Sequence, residues 1–215
     1  MEAPGLRERK KLRTRQAILD AAFALFEASG FDGASVAEIA AAAEVSKPTL
    51  FAYFPTKEDL VLHRFMDGGR GSAQVVRDRA DGTTPLAALR QDFLDRLADR
   101  DPLTGLNDTR AAVTFHHLLY STPALMAHLS GYMIDQERDL AAALLASGEP
   151  GDEFTAHLLA AQVFSAQRIL TSYNARAVRA GERTEDIYPI AVTRAETAFE
   201  LLAHSLARCS QGAGG

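Results

Sequence analysis

Ser35-Val36-Ala37-Glu38-Ile39-Ala40, followed after a short gap by Val45-Ser46-Lys47-Pro48-Thr49-Leu50-Phe51-Ala52-Tyr53-Phe54-Pro55-Thr56-Lys57-Glu58-Asp59-Leu60, decides how this chain is read. The stretch holds three helix-start signals in quick succession. Ser35 with Glu38 three residues on is a capping box, in which each group satisfies an otherwise orphaned N–H of the other's turn. Ser46 opens a second helix, with Pro48 in a first turn where a missing N–H is harmless. Pro55 stops that helix, and Thr56 opens a third with Asp59 at the box position. Val36, Ile39, Ala40 and Ala43 supply the buried face of the first. Leu50 and Phe54 point inward from the second, and Leu60, Val61 and Phe65 from the third. Upstream, Ile18, Ala21, Ala22, Leu25 and Phe26 recur at helical spacing. They predict a helix from near Lys10–Thr14 to Gly30, after which Phe31 packs back and Asp32-Gly33 turns the chain.

Two short helices joined by a tight turn have the layout of a helix-turn-helix, whose second helix enters a major groove by its N-terminal residues. Ala40 is small where the second helix crosses the first. Ser46, Lys47 and Thr49 place polar groups at the entering end, with Lys47 and Thr49 within reach of base edges or phosphates. Tyr53, one turn on, offers a hydroxyl to the sugar-phosphate backbone, and Lys57 adds sequence-independent charge.

The charge distribution agrees. The chain has 215 residues and a net charge of −5. Residues 1–15 hold Arg7, Arg9, Lys10, Lys11, Arg13 and Arg15 against Glu2 and Glu8. Residues 1–64 are neutral overall, so the acidic balance lies in the remainder. A basic arm on an acidic body suits contact with nucleic acid at one end, and the arm itself is a candidate for a minor groove.

Downstream the pattern stays helical. Ala and Leu number 65 against 15 for Val and Ile, which favours helices over sheets. Gly68, Gly69 and Gly71 weaken the fourth helix, so it should fray or bend there, or run on through 73–79 at some cost. Further helices are predicted over 85–100, 108–120, 123–146, 152–179 and 186–207. Gly68-Gly69-Arg70-Gly71 follows a helix rather than a strand, so it is a poor phosphate loop. The expected fold is all-α, with about nine helices in two parts. Residues 1–56 form the arm and helix-turn-helix domain, residues 57–67 a linking helix, and residues 68–215 a helical bundle.

The segment 18–60 resembles the DNA-binding domain of TetR-family transcriptional regulators. Its carriers are Ile18-Leu19-Asp20-Ala21-Ala22, Phe26, Gly30-Phe31 and the two stretches quoted first. The resemblance implies a homodimeric repressor whose C-terminal body binds a small effector and which leaves a pseudo-palindromic operator when that effector binds. It implies DNA-facing roles for Ser35, Ser46, Lys47, Pro48, Thr49 and Tyr53, and a phosphate contact for Lys57. Three positions depart from the family. Glu44 stands in the turn where glycine is usual, and Pro48 and Phe51 replace the commoner Gly and Tyr.

The body carries no such motif. Phe115, His116, Tyr120, Met126, Tyr132, Phe164 and Tyr173 are candidates for lining an effector cavity, since such cavities are mostly apolar with a few polar groups. Each also reads as ordinary core. The last two helices carry stripes, Phe154, Leu158, Ala161, Ser165, Ile169 and Ser172 on one and Ile187, Ile190, Arg194, Ala198, Leu201 and Ser205 on the other. Within them Leu158, Ala161, Ser165, Ile169, Ile190, Arg194, Ala198 and Leu201 are candidates for a dimer interface. His116 and His117 point about 100° apart on a helix and, with His128, make a poor metal site; no metal and no cofactor is expected. Cys209 alone forms no disulfide framework and reads as an inert thiol. No nucleophile elbow, metalloprotease motif or Walker motif occurs, so the chain is not read as an enzyme. The alternatives are a helical enzyme whose helix-turn-helix merely packs, and an effector-free DNA-architectural protein. No signal peptide or membrane span is expected, and a cytoplasmic location follows. Arg outnumbers Lys 19 to 4, a weak hint of a GC-rich bacterial source.

Overall fold

The computed structural model describes residues 5–66, 70–149 and 151–212. Helices account for the regular structure among these residues: α1 (Leu6–Gly33), α2 (Val36–Ala42), α3 (Lys47–Tyr53), α4 (Lys57–Met66), α5 (Ser72–Arg77), α6 (Pro85–Ala98), α7 (Arg110–Ser121), α8 (Pro123–Ala146), α9 (Glu153–Arg179) and α10 (Thr184–Gly212), with a 3-10 turn at Pro102–Thr104. They fall into two compact units. One comprises the described residues up to 66 together with 114–128, and the other comprises 70–113 and 129–212.

The first unit is built on α1. Ile18, Leu19, Ala22, Phe23 and Phe26 of α1 are buried with Phe31, Ile39, Ala40, Leu50, Phe54, Leu60 and Val61. Gly30 breaks the helical geometry at φ 73° and ψ 175°, a region open to glycine. The break lets Phe31 fold back until its ring lies 5.5 Å from that of Phe26. The N-terminal cations differ from expectation. The helix begins at Leu6, so Arg7, Arg9, Lys10, Lys11 and Arg13 are exposed residues of α1 rather than a separate arm. Arg15 leaves that set, because its guanidinium lies over the Phe54 ring at 4.9 Å and burial lowers its pKa.

In the second unit α6 presents Leu86, Leu89, Phe93 and Leu97 to a core shared with Leu140 and Leu144 of α8, Leu159, Ala160 and Val163 of α9, and Ala191, Ala195 and Phe199 of α10. The Phe93 and Phe199 rings meet at 6.3 Å. The fourth helix does not run on: α5 is a separate six-residue helix with Gly71 as its N-cap. Gly68 and Gly69 lie outside the described residues, as do the side chains of Phe65 and Cys209. Ile187 is a correction to the outward stripe. It is 2% exposed and heads the inner row with Ala191, Ala195, Phe199 and Leu202, because steps of three and four keep side chains on one face of the helix.

Gly105 sets where the 3-10 turn docks. It adopts φ 74°, and a Cβ there would lie 2.3 Å from the Thr171 carbonyl oxygen and 2.9 Å from the Ala175 nitrogen. On either side of this contact the Thr171 hydroxyl donates to the Leu103 carbonyl at 2.9 Å, and the buried Asn174 amide donates to the Thr104 carbonyl at 3.0 Å.

Candidate nucleic-acid interface

The three predicted start signals are all formed. The Ser35 hydroxyl accepts from Glu38 N–H at 3.2 Å while the Glu38 carboxylate accepts from Ser35 N–H at 2.9 Å. The hydrogen bonds from Ser35 hold the Glu38 carboxyl below its ordinary pKa. Ser46 caps α3 by accepting from Thr49 N–H at 3.1 Å, and its hydroxyl also meets the Thr49 hydroxyl at 2.7 Å. Thr56 N–H donates to the Asp59 carboxylate at 2.9 Å, and Asp59 N–H returns to the Thr56 hydroxyl at 3.1 Å.

Between α2 and α3 the chain closes with a Schellman turn. Val45 N–H donates to the Ala40 carbonyl at 2.9 Å and Glu44 N–H to the Ala41 carbonyl at 3.1 Å. The turn requires a left-handed residue, and Glu44 occupies it at φ 53°. A side chain in this region costs roughly 1–2 kcal/mol, and glycine gives back about half of that through its own entropy. Glu44→Gly is therefore expected to raise stability by about 0.5–1 kcal/mol, seen as a higher urea midpoint at unchanged m-value. A lower midpoint would show that the Glu44 side chain has a stabilising partner.

The geometry divides the DNA candidates. Ser35, Ser46, Lys47 and Pro48 are exposed, while Thr49, Tyr53 and Lys57 are partly covered. Leu50 and Phe54 are fully buried and fix the rotation of α3 about its axis. The hydroxyls of Ser46 and Thr49 are engaged in the cap. Lys57 holds its ammonium 4.3 Å from the Phe31 ring centre, a cation–π contact that steadies the side chain. Sequence reading had no signal for it, because the partners belong to different helices.

A second contact was equally invisible. His128, in the first turns of α8, places Nε2 2.9 Å from an Asp59 carboxylate oxygen. Burial raises the Asp59 pKa, but hydrogen bonds from Thr56 and His128 outweigh it and hold the carboxyl below its usual range. One turn along α4, His63 lies 5.9 Å from the Phe54 ring. Burial, then the Arg15 charge, lowers its pKa.

The effector candidates separate into two sets. Phe115, His116, Tyr120 and Met126 belong to the first unit, and Tyr132, Phe164 and Tyr173 to the second. Phe115 and His116 are buried, and their rings lie 5.1 Å apart. Tyr120 stacks on His116 at 6.3 Å. His117 faces outward. Tyr132 is exposed, and Phe164 packs against the core of its unit. Tyr173 lies in an apolar groove of about 630 Å³ between α9 and α10, together with Ser165, Ile169, Arg194, Ala198 and Leu201. Arg176 and Arg194 approach its ring at 4.8 and 5.2 Å. Tyr173 thus joins five of the dimer candidates rather than the His116 set. Leu158, Ile169, Ile190 and Leu201 are exposed, and so is Phe154. Ala161 is partly covered.

Residues 18–63 match the family described as bacterial regulatory proteins, tetR family. The transcriptional regulator RutR of Escherichia coli is 30% identical over 169 residues, which cover 74% of each chain. The chain belongs to the TetR family. The regulator TcmR of Streptomyces glaucescens is 34% identical over 127 residues, or 58% of this chain, and the chain spans 55% of TcmR's length. Among solved structures, Salmonella enterica GusR superimposes with a TM-score of 0.57 at 21% identity, over 90% of this chain and 95% of that one. Both sequence relatives bear the description HTH-type transcriptional regulator. Among the described residues no helix is long and apolar enough to cross a membrane.

Proposed function

We propose that the chain is a DNA-binding transcriptional repressor that acts as a homodimer on a pseudo-palindromic operator and is released by a small-molecule effector. The observation that carries this reading is the α2–α3 pair in a chain of the TetR family. Helix α3 is capped by Ser46, locked in rotation by Leu50 and Phe54, and led by the exposed Lys47. In this reading Ser35, Lys47, Pro48 and Thr49 face the groove. Ser46 holds the cap, and Tyr53 and Lys57 meet the backbone. Phe115, His116, Tyr120 and Met126 are the effector candidates of the first unit. Asp59 joins the capped start of α4 to His128, which gives α8 a direct hold on the helix that follows α3.

Dimerisation is assigned to α9 and α10. Their outward apolar residues are a large exposed stripe for one chain, and such stripes mark interfaces. Ile169→Asp with Leu201→Asp is expected to yield a folded monomer, because both side chains are already exposed (48% and 67%). Sedimentation should show half the wild-type mass, and operator affinity should fall at least a hundredfold. Unchanged mass in a wild-type dimer would remove this face from the interface.

The main test is selection of duplex DNA from a random-sequence pool by the purified chain. The expected product is an inverted repeat whose half-sites lie about 34–36 Å apart, or a multiple of that. Failure to enrich any sequence would overturn the reading.

A further inference from the structure

Phe54 ends α3 and is fully buried, so whatever holds its ring holds the rotation of that helix. The Arg15 guanidinium of α1 lies over the ring at 4.9 Å, and the partly buried imidazole of His63, on α4, lies 5.9 Å from it. Asp59 stands one turn before His63, and a step of four keeps the two on one face of α4. The Asp59 carboxylate accepts from Thr56 N–H and lies 2.9 Å from Nε2 of His128, in the first turns of α8. The charged and titratable groups that bear on His63 are thus Arg15 from α1, Asp59 on its own helix and His128 from α8. Arg64, the next residue along α4, is paired with Asp20 of α1. All of these groups belong to the first unit.

Neutral His63 fits these surroundings and charged His63 does not. An imidazolium here is partly withdrawn from water and faces the permanent Arg15 charge across one ring. Like charges repel more strongly as water is excluded. Asp59 is the anion of the cluster, but its carboxylate already closes the start of α4 and meets His128. Turning it toward His63 costs the cap, and leaving it in place leaves two cations against Phe54. We propose that His63 is a proton switch on the DNA-binding head: acidification charges it beside Arg15, unseats Phe54 and so weakens operator binding. The inference rests on the DNA-binding reading above. Burial, then the Arg15 charge, holds the His63 pKa below its ordinary value, which is about 6.5. A state with Phe54 unseated therefore takes up the proton first. The seated arrangement is at full strength above about pH 6.5 and loses strength as the pH falls toward the depressed pKa. This sign opposes general electrostatics, in which added positive charge tightens contact with phosphate.

The test measures fluorescence anisotropy of the duplex selected from the random pool, with the full chain, at constant salt and at about pH 7.5 and about pH 5.5. One proton per head changes affinity by at most about tenfold per pH unit. The wild type is expected to bind about fivefold or more weakly at the lower pH, with its helical circular dichroism unchanged. In His63→Gln, and independently in His63→Phe should the first fold poorly, affinity should differ less than about 1.5-fold between the two. His128→Gln should keep the wild-type loss. The proposal is overturned if the wild type binds equally or more tightly at the lower pH, or if the loss persists without His63. It is also overturned if His128→Gln alone abolishes the loss, or if the helices melt at the lower pH, since acid unfolding rather than a local switch would then release the DNA. If the wild-type chain enriches no duplex at neutral pH, the DNA-binding reading falls, and this one with it.

Discussion

Gly105→Ala is expected to cost about 3–5 kcal/mol of stability and to lower the melting temperature by about 10 °C, at roughly 2–4 °C per kcal/mol for a chain of this size. Two effects add. The left-handed conformation at Gly105 costs roughly 1–2 kcal/mol for any residue with a Cβ. The new methyl would also stand 2.3 Å from the Thr171 carbonyl oxygen. The obstacle is the backbone of α9, which cannot rotate away as a flexible side chain would. The turn must therefore lift off, which stretches the bonds from Thr171 to Leu103 and from Asn174 to Thr104. Asn174 is buried, so its amide would lose its partner without gaining water, at about 1–3 kcal/mol. Thermal and urea unfolding followed by circular dichroism measure the effect. A loss below about 1 kcal/mol would mean that the turn does not sit this close to α9.

DNA binding is expected to be steeply salt-dependent. The exposed cations of the first unit are Arg7, Arg9, Lys10, Lys11 and Arg13 on α1, with Lys47 on α3; Lys57 is held ready against Phe31. Arg15, like Lys57, is partly covered and rests against an aromatic ring. If each head neutralises about four phosphates, a dimer releases counterions from about eight. The slope of log K against log[salt] should then be near −7, from roughly −0.9 per phosphate. Affinity should fall about 10⁴-fold between 50 and 200 mM salt. Fluorescence anisotropy on the selected duplex gives the slope directly, and a value near −1 would exclude the groove-bound dimer. Removing one phosphate-contacting cation of α1 should reduce the slope by about 1 and weaken all sequences alike.

What the sequence by itself determined is local. The capping pairs Ser35–Glu38, Ser46–Thr49 and Thr56–Asp59 are three residues apart. Their chemistry is complete within one turn, so the starts of α2, α3 and α4 were legible. The same holds for the inward row of α6, Leu86, Leu89, Phe93 and Leu97, set by helical period. The limits of this reading appear where a helix lacks a local signal. The sequence offered no cap before Lys10, yet α1 begins at Leu6, and periodicity alone put Ile187 on the wrong face of α10.

Only the tertiary structure decided the contacts between residues far apart in the chain. His128 reaches Asp59 across 69 residues, and Asn174 reaches Thr104 across 70. Lys57 and Arg15 are each partly covered and held against an aromatic ring from a distant part of the chain. Residues 114–128 group with the head unit although most of the body surrounds them in sequence. The physical reason is the same in each case. Helical period fixes which residues share a face, whereas the rotation of each face and its partner follow from the joint packing of all the helices, which no single segment encodes.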